Sequence, residues 1–154
     1  MRENKELLER FYTAFQQFDW QAMAKCYHGE AHFQDPAFDL AGSQIGQMWK
    51  MLCLRAKEFD LKFTVTEVGE ERGIVEWEAN YLFSKTGRKV NNKITAEILF
   101  KDGLIYQHQD SFNFWRWSRQ AIGLPAYILG WTGFFKKAVS SQAMAQLASF
   151  QKTG

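Results

Sequence analysis

The sequence predicts an α+β domain in which helices come first and a meander of long antiparallel strands follows. Three observations carry that prediction. Apolar residues recur at three- and four-residue steps as far as Lys57, then at two-residue steps from Phe59 onward. The alternating runs are joined by short turn sequences such as Lys101-Asp102-Gly103. A chain of 154 residues with 16% aromatic content is the length of one domain and can wall a core or cavity with rings.

The first helix is expected over 3–17, where Leu7, Leu8, Phe11, Ala14, Phe15 and Phe18 form one stripe and Tyr12 lies just beside it. A second helix follows, with Asp19 as N-cap, Trp20, Met23, Ala24 and Tyr27 facing inward, and His28-Gly29 as its end. The run AHFQDPAFDLAG is then extended. Pro36 stops it, and Asp35 before the proline is held out of the helical region. An Asp-Pro pair is also ordinary turn chemistry. Ser43 is expected to cap a third helix through Lys57, with Ile45, Met48, Trp49, Leu52 and Ala56 buried.

Leu61, Phe63 and Val65 begin the alternating part, and Gly69 to Gly73 make the turn that follows. Val75, Trp77, Ala79, Tyr81 and Phe83 face inward on the next strand, and SKTGRK closes that hairpin. Val90, Asn92, Ile94, Ala96, Ile98 and Phe100 form the inner row of the strand after it. The last strand reads as one long element over 104–117. Its inner row is Leu104, Tyr106, His108, Asp110, Phe112 and Phe114, which leaves Ile105 outside. An imidazole and a carboxylate inside an apolar row have two readings. They belong to a pocket that uses its polar groups, or they are a structural pair that satisfies itself.

After Trp117 comes an apolar stretch over 121–135, interrupted by Gly and Pro and too short to span a bilayer. A helical run with Phe135, Val139, Ala143, Leu147 and Phe150 on one side follows. The division expected is therefore 1–117 as the main domain and 118–154 as a helical extension on the same body. A flap over a pocket mouth and a dimer contact are favoured for the tail. Membrane contact is disfavoured, because Lys136 and Lys137 make a weak anchor.

A net charge of +2 without a Lys/Arg run argues against nucleic acid as the main partner. Cys26 and Cys53 sit in expected helices without ligand spacing and read as buried thiols of a reducing compartment. MRENKELLER has no apolar signal core, so the expected location is cytoplasmic. His28, His32 and His108 fit no zinc pattern, and no phosphate loop or nucleophile elbow is present. Neither metal nor cofactor is expected.

The order of elements, together with ELLERFYTAFQQFDWQAMAKCYHGEAHFQDP and DGLIYQHQDSF, resembles the nuclear transport factor 2-like superfamily and its SnoaL-like branch. That resemblance implies a cone, a strongly curved mixed sheet wrapped around the N-terminal helices over a deep pocket. It also implies a homodimer formed through the sheet, for which Ile105 and Leu99 are the apolar candidates. Members include ketosteroid isomerase, limonene epoxide hydrolase, polyketide cyclases and non-catalytic binders, so fold membership does not settle function. Asp35 matches the general-base carboxylate of ketosteroid isomerase, whereas Phe11 and Ala96 stand where that enzyme has its two hydrogen-bond donors. Losing both argues against steroid isomerisation unless Tyr12 or Tyr106 supplies a donor. Asp110 resembles the last-strand base of the epoxide hydrolase and the cyclases, with His108 one step along the row.

The expected site therefore has Asp110, His108 and Asp35 as catalytic groups. Phe11, Tyr12, Phe15, Trp49, Trp77, Tyr81, Tyr106 and Phe112 would line a pocket for a small, largely apolar molecule. Turnover by cofactor-independent acid/base chemistry, binding without turnover and a protein-interaction role with a vestigial pocket are the three functions this allows.

Overall fold

A computed structural model describes residues 2–129 and 132–153. Helix α1 (Arg2–Gln16) forms as its stripe predicts and buries Leu7, Leu8, Phe11, Tyr12, Ala14 and Phe15. Asp19 caps α2 (Trp20–Lys25), its carboxylate accepting the Ala22 N–H at 3.1 Å. That helix ends earlier than expected. The Cys26 carbonyl accepts the Ile105 N–H at 2.9 Å, and Tyr27 and His28 enter strand β1 (Tyr27–Gln34) instead of the helix. A long-range parallel ladder thus overrides a local periodicity that would have continued the helix.

Strand β2 (Asp39–Ala41) pairs back on β1, and α3 (Ser43–Arg55) follows. The N-cap of α3 is Gly42, not Ser43. Its φ of 59° turns the chain sharply, and no side chain caps the helix. The stripe of α3 is also rotated from expectation. Leu52 is 39% exposed, whereas Met51 and Cys53 are buried because α2 and α6 flank this helix.

Strands β3 (Asp60–Val68), β4 (Arg72–Leu82), β5 (Lys89–Lys101) and β6 (Leu104–Ser111) complete a curved six-stranded sheet in the order β2-β1-β6-β5-β4-β3. Among the described strands only the β1–β6 pairing is parallel, so the sheet is mixed. The core lies between the sheet and α1, α2 and α3, with Phe11, Phe33, Ile45, Met48 and Ile98 fully enclosed.

Strand β6 departs from the expected row in two ways. Phe100 pairs with Ile105 and Leu99 with Gln107, which leaves Tyr106 as an extra residue, a β-bulge. The alternation slips there. Ile105 turns inward and is 0% exposed, so it contributes nothing to an outer dimer face, while Leu99 at 40% stays outside. Tyr106 is half-buried, its ring 5.3 Å from that of His28 and beneath the Lys101 ammonium at 4.8 Å. The strand also stops at Ser111. Asn113 accepts the Arg116 N–H at 3.0 Å and starts α4 (Phe114–Ala121), so the boundary expected at 117/118 falls inside a helix.

Beyond α4, helices α5 (Leu124–Leu129) and α6 (Gly133–Thr153) return the chain to the body. Leu147 is buried in the main core, the Ser140 hydroxyl donates to the Ala37 carbonyl at 2.8 Å, and Phe135 and Val139 meet a second cluster of Val90, Phe114, Trp117 and Ala121. Gly130 and Trp131, inside the apolar stretch, lie outside the described residues. Among the described residues no helix is long and apolar enough to cross a membrane.

Candidate functional site

Strands β1 and β6 run side by side, and their register places the chemistry. Gln34 pairs with Gln109 in the parallel ladder, so the next residues along the two strands, Asp35 and Asp110, are neighbours at the same end of the sheet. On the other flank Asp110 faces Ala96 of β5, whose methyl group supplies no hydrogen bond. Two residues back along β6, His108 lies between Phe33 and Ile98.

A chain of hydrogen bonds runs through this point. The Trp49 indole N–H donates to the Tyr27 hydroxyl oxygen at 3.0 Å. That hydroxyl lies 2.7 Å from His108 Nδ1, and His108 Nε2 lies 2.9 Å from Asp110 Oδ1. With Tyr27 donating its single proton to Nδ1, the ring proton lies on Nε2 and is donated to the carboxylate. This tautomer is assigned from the bonding pattern. Rings hold the imidazole on several sides, with Phe33 at 4.9 Å, Phe11 at 5.9 Å and Trp49 at 6.4 Å. Both members of the His108–Asp110 pair are buried.

Asp35 is half-buried and does two things at once. Its Oδ1 accepts the N–H groups of Ala37 at 2.7 Å and Phe38 at 2.6 Å, which closes the turn into β2. Burial, and after it the charge of Asp110, pushes its carboxyl up to about 7, against the smaller opposing pull of the two backbone N–H groups and of His108. A carboxyl that titrates near neutrality can give or take a proton under ordinary conditions.

Two buried donors nearby find no partner among the described residues, the Tyr12 hydroxyl and the Trp77 indole N–H. Their rings sit 6.0 Å apart, and Tyr12 stacks on Phe63 at 5.4 Å. Burial, then the charge of Asp110 and then that of Tyr27, pushes the Tyr12 hydroxyl well above the ordinary phenol range, so it remains a donor. Tyr27 is held high first by burial, with the Trp49 bond opposing. Tyr81 is pushed up to about 12, also by burial, while its oxygen accepts the Trp117 indole N–H at 2.9 Å.

The expected lining residues divide accordingly. Phe11, Tyr12, Phe15, Trp49 and Trp77 form one connected set of rings, with Phe15 at 5.0 Å from Trp49 and 5.5 Å from Trp77. Tyr81 and Phe112 sit at the edge of that set, beside Trp117. Tyr106 is turned by the bulge toward His28 and Lys101. Tyr27 and Phe33, which reach His108 directly, are absent from the expected site. Only the parallel β1–β6 pairing brings them there, and a register between strands so far apart in sequence leaves no local signal.

Residues 8–108 match the SnoaL-like domain family, which ends two residues before Asp110. Among curated proteins, none matches this sequence. Solved structures do. A candidate polyketide cyclase from a Silicibacter species is 14% identical, with a TM-score of 0.69 over 79% of this chain and 96% of that one. An epoxide hydrolase of the limonene type from Mycobacterium tuberculosis is also 14% identical, with a TM-score of 0.64 over 84% and 97%. A protein with a ketosteroid isomerase-like fold from Catenulispora acidiphila, solved with trimethylamine, is 16% identical, with a TM-score of 0.65 over 82% and 97%. At such identities the likeness establishes the nuclear transport factor 2-like fold and no more.

Proposed function

The chain belongs to the SnoaL-like domain family, and from that premise we propose that it takes a small, largely apolar molecule into its aromatic interior and performs cofactor-independent proton transfer on it. The observation that carries this reading is that Asp35, next after the Gln34–Gln109 pair, lies beside the end of the Trp49–Tyr27–His108–Asp110 chain. In the proposed reaction His108 holds Asp110 Oδ1, and Oδ2 removes a proton from a carbon acid or from a water molecule. Asp35, in its neutral form, returns a proton to the product. The Tyr12 hydroxyl and the Trp77 N–H donate to the ligand oxygen on which charge develops, in place of the donors absent at Phe11 and Ala96. Isomerisation, cyclisation, elimination and epoxide opening all share this requirement for a base, an acid and an oxygen-binding pair.

The second reading is binding without turnover. It is favoured by Asp35 spending one oxygen on the turn to β2, which makes a structural role sufficient for that residue. Proton exchange at the α-carbon of 2-tetralone, followed by NMR in deuterated buffer, separates the two. Catalysis predicts acceleration by the protein and a loss of about 10²- to 10⁴-fold in Asp110→Asn. Saturable binding of 2-tetralone with no acceleration selects the binding module, and neither binding nor exchange removes the interior as the working site for this class of molecule.

A further inference from the structure

A second site lies outside the aromatic interior, where the SKTGRK loop docks against the end of α4. A groove of about 530 Å³ is lined there by Arg88, Lys89, Arg116, Arg119 and Gln120. It gathers four positive charges on a chain whose net charge is +2, so the remaining surface is acidic on balance. We propose that this groove binds the phosphate or other multiply charged end of a small organic anion.

The guanidinium groups of Arg88 and Arg116 are fixed by neutral oxygens, which hold these two charges in place without cancelling them. Arg88 Nε donates to the Gln120 carbonyl at 2.8 Å and its Nη2 to the Arg119 carbonyl at 3.4 Å. Arg116 donates from Nη1 to the Asn91 carbonyl at 2.8 Å and from Nη2 to Asn91 Oδ1 at 3.1 Å. The Arg119 guanidinium lies over the Trp115 ring at 3.9 Å. Cations brought together in this way repel one another, and a multivalent anion is the ligand that relieves the repulsion while meeting several pre-set N–H groups. Among the described residues, Arg88 and Arg116 each use two of five donors on the protein, leaving three apiece.

Local backbone chemistry is arranged around the same arginine. Gly123 has a φ of +96°, and a Cβ there would come within 3.1 Å of Arg88 Cζ, so a side chain would be strained and would displace the guanidinium. The Thr86 hydroxyl ties the loop to the Ala121 carbonyl at 2.5 Å. A smaller groove of about 280 Å³ shares Lys89 and Gln120 and is walled by Tyr81, Leu82 and Val90 together with the polar Glu58, Asn80 and Asn91.

The test is titration of the full-length protein with inorganic pyrophosphate, followed by calorimetry and by the amide NMR signals of residues 86–91 and 116–123. Saturable binding centred on those signals is expected, weakened about tenfold or more by Lys89→Glu and by Arg119→Gln. Lys89→Glu alone decides the matter if loss of the Trp115 contact unfolds the other variant. No binding at about 10 mM pyrophosphate in low salt, or binding unchanged by Lys89→Glu, overturns the proposal. Vesicles of phosphatidylglycerol in phosphatidylcholine form the second arm. Vesicle binding without pyrophosphate binding would assign the groove to a lipid surface and contradict a small-molecule ligand.

Discussion

At the scale of residues, the His108–Asp110 contact admits two substitutions with different consequences. An asparagine amide would still present an oxygen to the His108 N–H, so Asp110→Asn should change stability by no more than about 1 kcal/mol while removing the titrating group. Asp110→Ala strands the imidazole and should cost about 2 to 4 kcal/mol. Urea denaturation of both variants checks this, and equal large losses would make the pair structural only. Tyr12→Phe works in the opposite direction. Its hydroxyl is buried with no partner among the described residues, so removing it should leave the ligand-free protein equally stable or about 1 kcal/mol more stable, and should weaken binding of an oxygen-bearing ligand such as 2-tetralone. A destabilised Tyr12→Phe would mean that the hydroxyl serves the fold.

At the scale of elements, helix stripes and strand alternation are readable wherever one local period governs, as in α1, β4 and the first part of β5. They fail where a distant partner decides. The end of α2 is set by Ile105 bonding to Cys26, and the inner row of β6 is reset by a bulge at Tyr106 that no residue type announces. Asp110 and His108 are legible because a charged pair stands out in an apolar row. Tyr27 is not, because it meets His108 only through the parallel ladder. Asn113 is an overlooked local signal, a good N-cap two residues beyond Ser111. In the tail, Leu147 anchors α6 to the main core, so Leu147→Ala should cost about 2 to 5 kcal/mol. Removing residues 133–154 should uncover apolar surface and raise dye binding. A truncated chain of unchanged stability would make α6 an appendage.

At the scale of the whole molecule, the fold keeps a carboxyl at the end of β1 in surroundings that favour its neutral form. Asp35 is raised to about 7 in the folded chain against about 3.9 when unfolded, so between these values the folded state holds a proton that the unfolded state has released. Its contribution is therefore fully present below about pH 4 and is lost as pH rises toward 7, by up to about 4 kcal/mol. Thermal unfolding from pH 4 to 8 should show that decline in the wild type and a flatter profile in Asp35→Asn.

The most direct test is the titration of the Asp35 carboxyl itself, followed by its carbon NMR signal in the wild type and in Asp110→Asn. A coupled acid/base pair predicts a wild-type midpoint near 7 that moves down toward the ordinary carboxylate range once the neighbouring charge is gone. A midpoint near the ordinary carboxylate value in the wild type, or one that Asp110→Asn leaves in place, would contradict the coupling on which the proposed chemistry rests.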